Sequence, residues 1–147
     1  MEREFCRRCS KCRERAVVIA TVPYEIQVDY DGRKYQVNIP DLSVPRCAKC
    51  GNISHDHEAS QQISRAFCKQ ARLLNGDEIR HEREKLELTQ EELADMLGVD
   101  AAEVARWELG EQIQRRVADR FLRVFFDMPE LRKTLARTRA LEPSTAG

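Results

Sequence analysis

The stretches "CRRCSKCRERAVV" (residues 6–18) and "CAKC" (residues 47–50) decide the first half of the fold. The first contains two overlapping C-x2-C pairs, Cys6/Cys9 and Cys9/Cys12; the second contains one, Cys47/Cys50. Two such pairs separated by strands are the sequence form of a closed four-cysteine zinc site. Four thiolates fill a tetrahedron and leave no open position for a reactive water, so the metal is expected to be structural, with one ion per chain. Of the early pairs, Cys9/Cys12 lies nearer the strand that begins at Ala16, giving a tight knuckle that feeds directly into it. The expected ligands are therefore Cys9, Cys12, Cys47 and Cys50, with Cys6 spare. A mixed site using His55 or His57 is the alternative, and solvated loop histidines are the simpler reading of both. Cys68, on an apolar helix face, reads as core.

Between the cysteine pairs the pattern is β. Residues 16–22, "AVVIATV", are β-branched and apolar. After Pro23, Tyr24, Ile26, Val28 and Tyr30 alternate with Glu25, Gln27 and Asp29, and "RKYQVNI" returns with Tyr35, Val37 and Ile39 on one face. Asp31-Gly32 between them is a hairpin signal. Pro40 and Pro45 are expected to bracket a loop leading to Cys47. Residues 33–37 offer a strand edge to a partner. A head this small has little apolar core, so metal binding would supply much of its folding free energy, on the order of 10 kcal/mol.

The chain has 147 residues with 25 Lys/Arg and 25 Asp/Glu. The charge is uneven: residues 1–71 carry 12 cations and 9 anions, residues 72–147 carry 13 and 16. Nucleic-acid binding must then come from a local basic face, because no global field supports it. No run of apolar residues is long enough to span a membrane, and "MEREFCRRCSK" lacks the apolar segment of a signal peptide. The expectation is a cytoplasmic protein, where reducing conditions favour metal over disulfides.

From residue 58 the periodicity is helical. One helix is expected over 58–74, ended by Asn75-Gly76-Asp77, with Gly76 as its C-terminal cap and Asp77 as the N-cap of the next. Five more helices are expected beyond. Thr89 with Glu92 forms a capping box and Asp100 with Glu103 a looser one, while Gly98 and Gly110 are stops. The expected fold class is α+β: a four-cysteine β-hairpin domain with a linking helix over 1–76, an all-helical domain over 77–140, and a flexible tail over 141–147.

The segment "LTQEELADMLGV" followed by "RWELG" resembles the helix-turn-helix of the phage-repressor-like (XRE) family, over residues 79–110. Leu93, Ala94, Leu97, Val99, Val104 and Trp107 read as its core. Gln90, at a helix N-terminus with free backbone N–H groups, suits a phosphate clamp. The resemblance implies that residues from Asp100 to Arg106 form the recognition helix, with base contacts from Ala101, Ala102 and Arg106. Only Arg106 can form a bidentate contact to guanine; the alanines reach thymine methyls. Glu103 departs from the small hydroxyl residue usual in that family. Arg83 and Glu108 fall where the family has a partly buried ion pair. Arg115, Arg116, Arg120 and Arg123 supply either a basic DNA-facing surface or a solvated or dimer-contacting one.

Taken together, "KCRERAVV", "VPYEI", "PRCAKCG", "LLNGDEIRHEREKLELTQEELADMLGV", "RWELG" and "LRVFFDMPELRKTL" resemble the MqsA/YgiT antitoxin family of toxin–antitoxin modules. That resemblance implies a zinc domain that neutralises a toxin, typically an mRNA-cleaving ribonuclease. It also implies a C-terminal domain that dimerises, binds palindromic operator DNA and represses its own operon. The alternative is a stand-alone zinc-containing transcription regulator responsive to metal or redox state. An enzyme is disfavoured, since no open metal site or Ser/His/Asp constellation is present.

Overall fold

In the computed structural model, which describes residues 7–143, the chain is α+β: a three-stranded antiparallel sheet and six helices. It divides into two compact units, one ending at Arg72 and the other beginning at Leu73. Among the described residues no helix is long and apolar enough to cross a membrane.

The first unit is built on a long hairpin. Strand β1 (Arg7–Arg8) pairs with β2 (Arg15–Tyr30), which pairs with β3 (Arg33–Cys47). Asp31 and Gly32 join β2 to β3 with φ of 56° and 70°, both left-handed, as a two-residue primed turn requires. The alternation in the sequence is the alternation of burial: Tyr24, Ile26, Val28 and Tyr30 are half-buried while Glu25, Gln27 and Asp29 are exposed. Helix α1 (His57–Ala71) packs on β3. Phe67 meets Tyr30 and Tyr35 edge-on, at 5.3 and 5.5 Å between ring centroids. Leu42, Val44 and Ala59 form a second buried cluster. Burying the Leu42 and Val44 side chains contributes about 1.5–3 kcal/mol each.

The expected loop between Pro40 and Pro45 is instead strand, as β3 runs through both. The ladder tolerates the prolines for a local reason. Val22 pairs with Leu42 and Tyr24 with Ile39, so Pro23 faces the two residues Pro40 and Asp41 at a bulge, where ladder bonds are already interrupted. Pro45 stands on the outer strand, flanked outward only by the isolated bridge between Arg46 and Ile53: its carbonyl accepts from the Ser54 N–H at 3.0 Å, and its missing N–H interrupts no continuous ladder. That outer edge is covered elsewhere: Gln62 accepts from the Ser43 N–H (3.1 Å) and donates to the Ser43 carbonyl (3.3 Å), standing in for a neighbouring strand.

Helix α1 is N-capped by Asp56, which accepts from the Ala59 N–H, and it ends at Ala71 with Arg72 in the left-handed conformation. It therefore stops earlier than the periodicity suggests, and Gly76 is not its cap. Helix α2 (Gly76–Lys85) is capped by Asn75, not Asp77, in a reciprocal box with Glu78. Gly76 lies in the first turn of α2 because the backbone of Trp107 and Glu108 passes against it. A Cβ there would sit 2.6 Å from the Trp107 carbonyl oxygen and nearer still to that of Glu108.

The second unit continues with α3 (Gln90–Leu97), α4 (Ala101–Leu109), α5 (Arg116–Asp127) and α6 (Pro129–Arg139). Ile79, Leu93, Ala94, Val104, Trp107, Leu122 and Phe125 form one buried core, with Leu97 and Val99 packed against it. Gly98 and Gly110 end α3 and α4 at φ of 78° and 73°. Thr89 caps α3 by accepting from the Glu92 N–H. Asp100 caps α4 through its carbonyl alone, with no side-chain bond. Buried Asp119 accepts from the Leu74 N–H at 2.8 Å, from Gln114 at 3.1 Å and from Arg123 at 2.9 Å, tying the start of this unit to α5. Of the tail expected at 141–147, residues 144–147 lie outside the described residues.

Candidate metal centre and reading helix

The two C-x2-C segments fold into matching knuckles. In the first, the Arg13 N–H donates to the Cys9 carbonyl and the Cys9 N–H to the Glu14 carbonyl, both at 2.9 Å. In the second, the Gly51 N–H donates to the Cys47 carbonyl and the Cys47 N–H to the Asn52 carbonyl, again at 2.9 Å. Arg13 and Gly51, equivalent in the two turns, are both left-handed, with φ of 63° and 73°. Pairing of β2 with β3 sets Val17 opposite Cys47 and so brings the knuckles together. The Ala48 N–H fixes the second knuckle to the Ala16 carbonyl at 2.8 Å.

The four sulfurs of Cys9, Cys12, Cys47 and Cys50 all lie within 4.8 Å of one another. Cys9 and Cys50 are 3.6 Å apart, Cys12 and Cys47 3.5 Å. A zinc ion bonded to four thiolates at about 2.3 Å would space them about 3.8 Å apart, so the donor set fits a tetrahedral thiophilic cation. The backbone is arranged for anionic sulfur. The N–H groups of Cys12 and Lys11 hold the Cys9 thiol down to about 6. The Cys50 N–H lowers Cys47 against the effect of burial. At Cys12 the Glu14 N–H also favours the thiolate, yet burial and the neighbouring cysteines push the thiol up to about 12. A cation at the centre of the cluster would favour the thiolate form of all four sulfurs.

Neither histidine joins them. His55 packs edge-on against Tyr24, and His57 hydrogen-bonds Gln61 at 3.0 Å. Cys68 is buried under α1. Cys6 lies outside the described residues.

In the helical unit, α3, the Gly98 turn and α4 form the helix-turn-helix. Arg83 and Glu108 make a two-point ion pair, and Gln90 donates to the same carboxylate at 2.7 Å. The Gln90 amide nitrogen is therefore engaged within the unit. Along α4, Asp100, Ala102 and Arg106 are exposed, and Ala101 and Glu103 half-buried. Arg106 Nε donates to Gln112 at 2.8 Å. Glu103 lines a groove of about 730 Å³ with Trp107, Arg115, Val117 and Phe121. On α5, Arg115 and Arg120 are exposed, Arg116 is half-buried, and Arg123 is paired with Asp119.

Sequence reasoning missed Gln90 as a partner of Glu108, and it missed the Gln114–Asp119 pair. Neither leaves a signal in spacing, because the partners are 18 and 5 residues apart and on different elements or at a helix start.

The family model described as the antitoxin component of bacterial toxin-antitoxin systems, MqsA, matches residues 4–136. No curated protein matches the chain at a significant level. The chain belongs to the MqsA antitoxin family.

Proposed function

We propose that this member of the MqsA family neutralises a ribonuclease-like toxin through its first unit and represses its own operon by binding operator DNA through its second. The family match over residues 4–136 carries the reading, because it spans both the cysteine site and the helix-turn-helix. On this reading the protein is a binding module and not an enzyme, and it works in the cytoplasm.

The cation held by Cys9, Cys12, Cys47 and Cys50 is one zinc ion, bound for structure. All-sulfur coordination and a closed donor set favour it over oxygen-seeking cations. When bound, the ion neutralises the thiolates and joins the two knuckles. The exposed residues Arg33, Lys34 and Gln36 on the outer strand support strand addition as the way the head meets a toxin.

Exposed Arg106 and Ala102 support α4 as the helix that enters the major groove, with Ala101, Asp100 and Glu103 beside them. Gln90 contributes at the N-terminus of α3, and the Arg83–Glu108 pair holds the two helices in register. Exposed Val117 (80%) and Val124 (42%) support α5 as the surface through which a homodimer forms. The deciding experiment is affinity purification of the tagged chain from its native host. Recovery of a small ribonuclease encoded beside it supports the antitoxin reading. Recovery of operator DNA without any such protein would favour a stand-alone regulator.

A further inference from the structure

Arg106 lies in the last turn of α4, and the chain folds back on it at once. Gly110 turns left-handed at φ of 73°. The Glu111 and Gln112 N–H groups then both donate to the Arg106 carbonyl, at 3.0 and 3.3 Å. Gln112 is half-buried, and its side-chain oxygen accepts from Arg106 Nε at 2.8 Å. Residue 112 thus holds residue 106 by both backbone and side chain. Arginine carries donors only, so the amide must turn its oxygen to it.

A simpler role for the side-chain bond would be to close the end of α4. The backbone already does so: the N–H groups of Gly110, Glu111 and Gln112 satisfy the Arg106 and Trp107 carbonyls without any side chain. What the amide adds is a direction for the guanidinium. An exposed arginine samples many rotamers, and ordering them on binding costs affinity. With Nε engaged, the fork is committed. Among the described residues Nη1 and Nη2 have no partner, and together they form its remaining donor edge. Two parallel donors match the N7 and O6 acceptors of guanine, whereas adenine sets a donor beside its N7. Resting on the reading of α4 as the groove helix, we infer that Gln112 is a positioning residue for operator recognition. It aims the terminal nitrogens of Arg106 at one guanine in each half-site and sharpens the choice of guanine over adenine there.

The test uses the full-length, metal-loaded chain and a random-sequence duplex library, from which bound DNA is selected and sequenced. Arg106→Ala is expected to erase the preference for guanine at one position of the half-site, which identifies the base that Arg106 reads. Competition between duplexes with guanine and with adenine at that position then gives a preference ratio. Gln112→Leu, which keeps the apolar body and loses the acceptor, is expected to lower that ratio by about twofold to twelvefold, the cost of ordering one long side chain. Gln112→Glu keeps an acceptor and is expected to retain the ratio, since its added charge weakens both duplexes alike. In the Arg106→Ala background Gln112→Leu should change no preference. If Arg106→Ala erases the preference and Gln112→Leu leaves it intact, the positioning role is overturned and the reading of α4 stands. A uniform loss of affinity at an unchanged ratio overturns it in the same way, because a purely structural role would act so. A motif unaltered by Arg106→Ala overturns the reading of α4, and the positioning role with it. Should Gln112→Leu fail to fold, Gln112→Lys, which sets a donor against the Arg106 donor, decides by the same ratio.

Discussion

Glu108 grips Arg83 at two points, 2.6 Å from Nε to Oε1 and 3.2 Å from Nη2 to Oε2, with both side chains withdrawn from solvent. The pair joins α2 to α4, and Arg83 also donates to the Leu88 carbonyl at 2.8 Å, so one guanidinium ties together α2, the connection that follows it and α4. The carboxylate holds the guanidinium in its charged form. Glu108→Ala leaves that charge buried without its partner and is expected to cost about 3 kcal/mol. Thermal unfolding of the variant checks this. A shift within error of zero would mean that the pair contributes no more than a surface contact.

Gly76→Ala tests the close passage of α2 against the end of α4. The added methyl meets backbone carbonyls, which cannot swing aside as a flexible side chain would. Overpacking of this kind is expected to cost about 1–3 kcal/mol. The measurement is the melting of the helical unit, with metal content as the control for the other unit. A melting temperature at or above that of the unchanged protein would contradict the packing described here.

Metal removal is expected to unfold the first unit and to spare the second, whose core contains no cysteine. Chelation, or Cys47→Ser, should abolish amide protection in β2 and β3 while the helical circular-dichroism signal persists. X-ray absorption of the loaded chain should report four sulfurs. Two or more nitrogen ligands would remove the tetrathiolate assignment.

Arg106→Ala is expected to weaken specific operator binding by about 1–3 kcal/mol, or roughly fivefold to 150-fold, without changing stability. The side chain is exposed and its bond is to Gln112 at the surface, so its loss disturbs no core contact. Footprinting that is unchanged by the substitution would count against insertion of α4 into the major groove.

Val117→Arg places a charge on the exposed apolar part of α5 and is expected to convert a dimer to a monomer, read by sedimentation. On DNA the dimer is expected to protect two half-sites about 34 Å apart. A monomer in the unchanged protein at micromolar concentration would refute the assignment of α5 as the pairing surface.

Much of this architecture was legible in the chain. The cysteine spacing identified the four sulfurs that cluster, and Asp31-Gly32 placed the hairpin turn. Alternation along residues 24–30 gave the buried face of β2, and Leu93, Ala94, Val104 and Trp107 were recognisable as core. Each of these is a short-range property, written in periods of two or 3.6 residues or in the length of one turn. The prolines of β3 and the role of Gly76 misled for the opposite reason. Local chemistry makes proline a breaker and glycine a cap, whereas their real places depend on what lies across the sheet or against the helix.

The sequence alone thus determined which elements exist and which sulfurs meet, because spacing and periodicity act within a few residues. Only the tertiary structure decided that Gln90 serves Glu108, that Gly76 makes room for the α4 backbone, and that Gln62 closes the edge at Ser43. Those facts follow from which distant residues come to share a few ångströms. No pattern along a single segment encodes that.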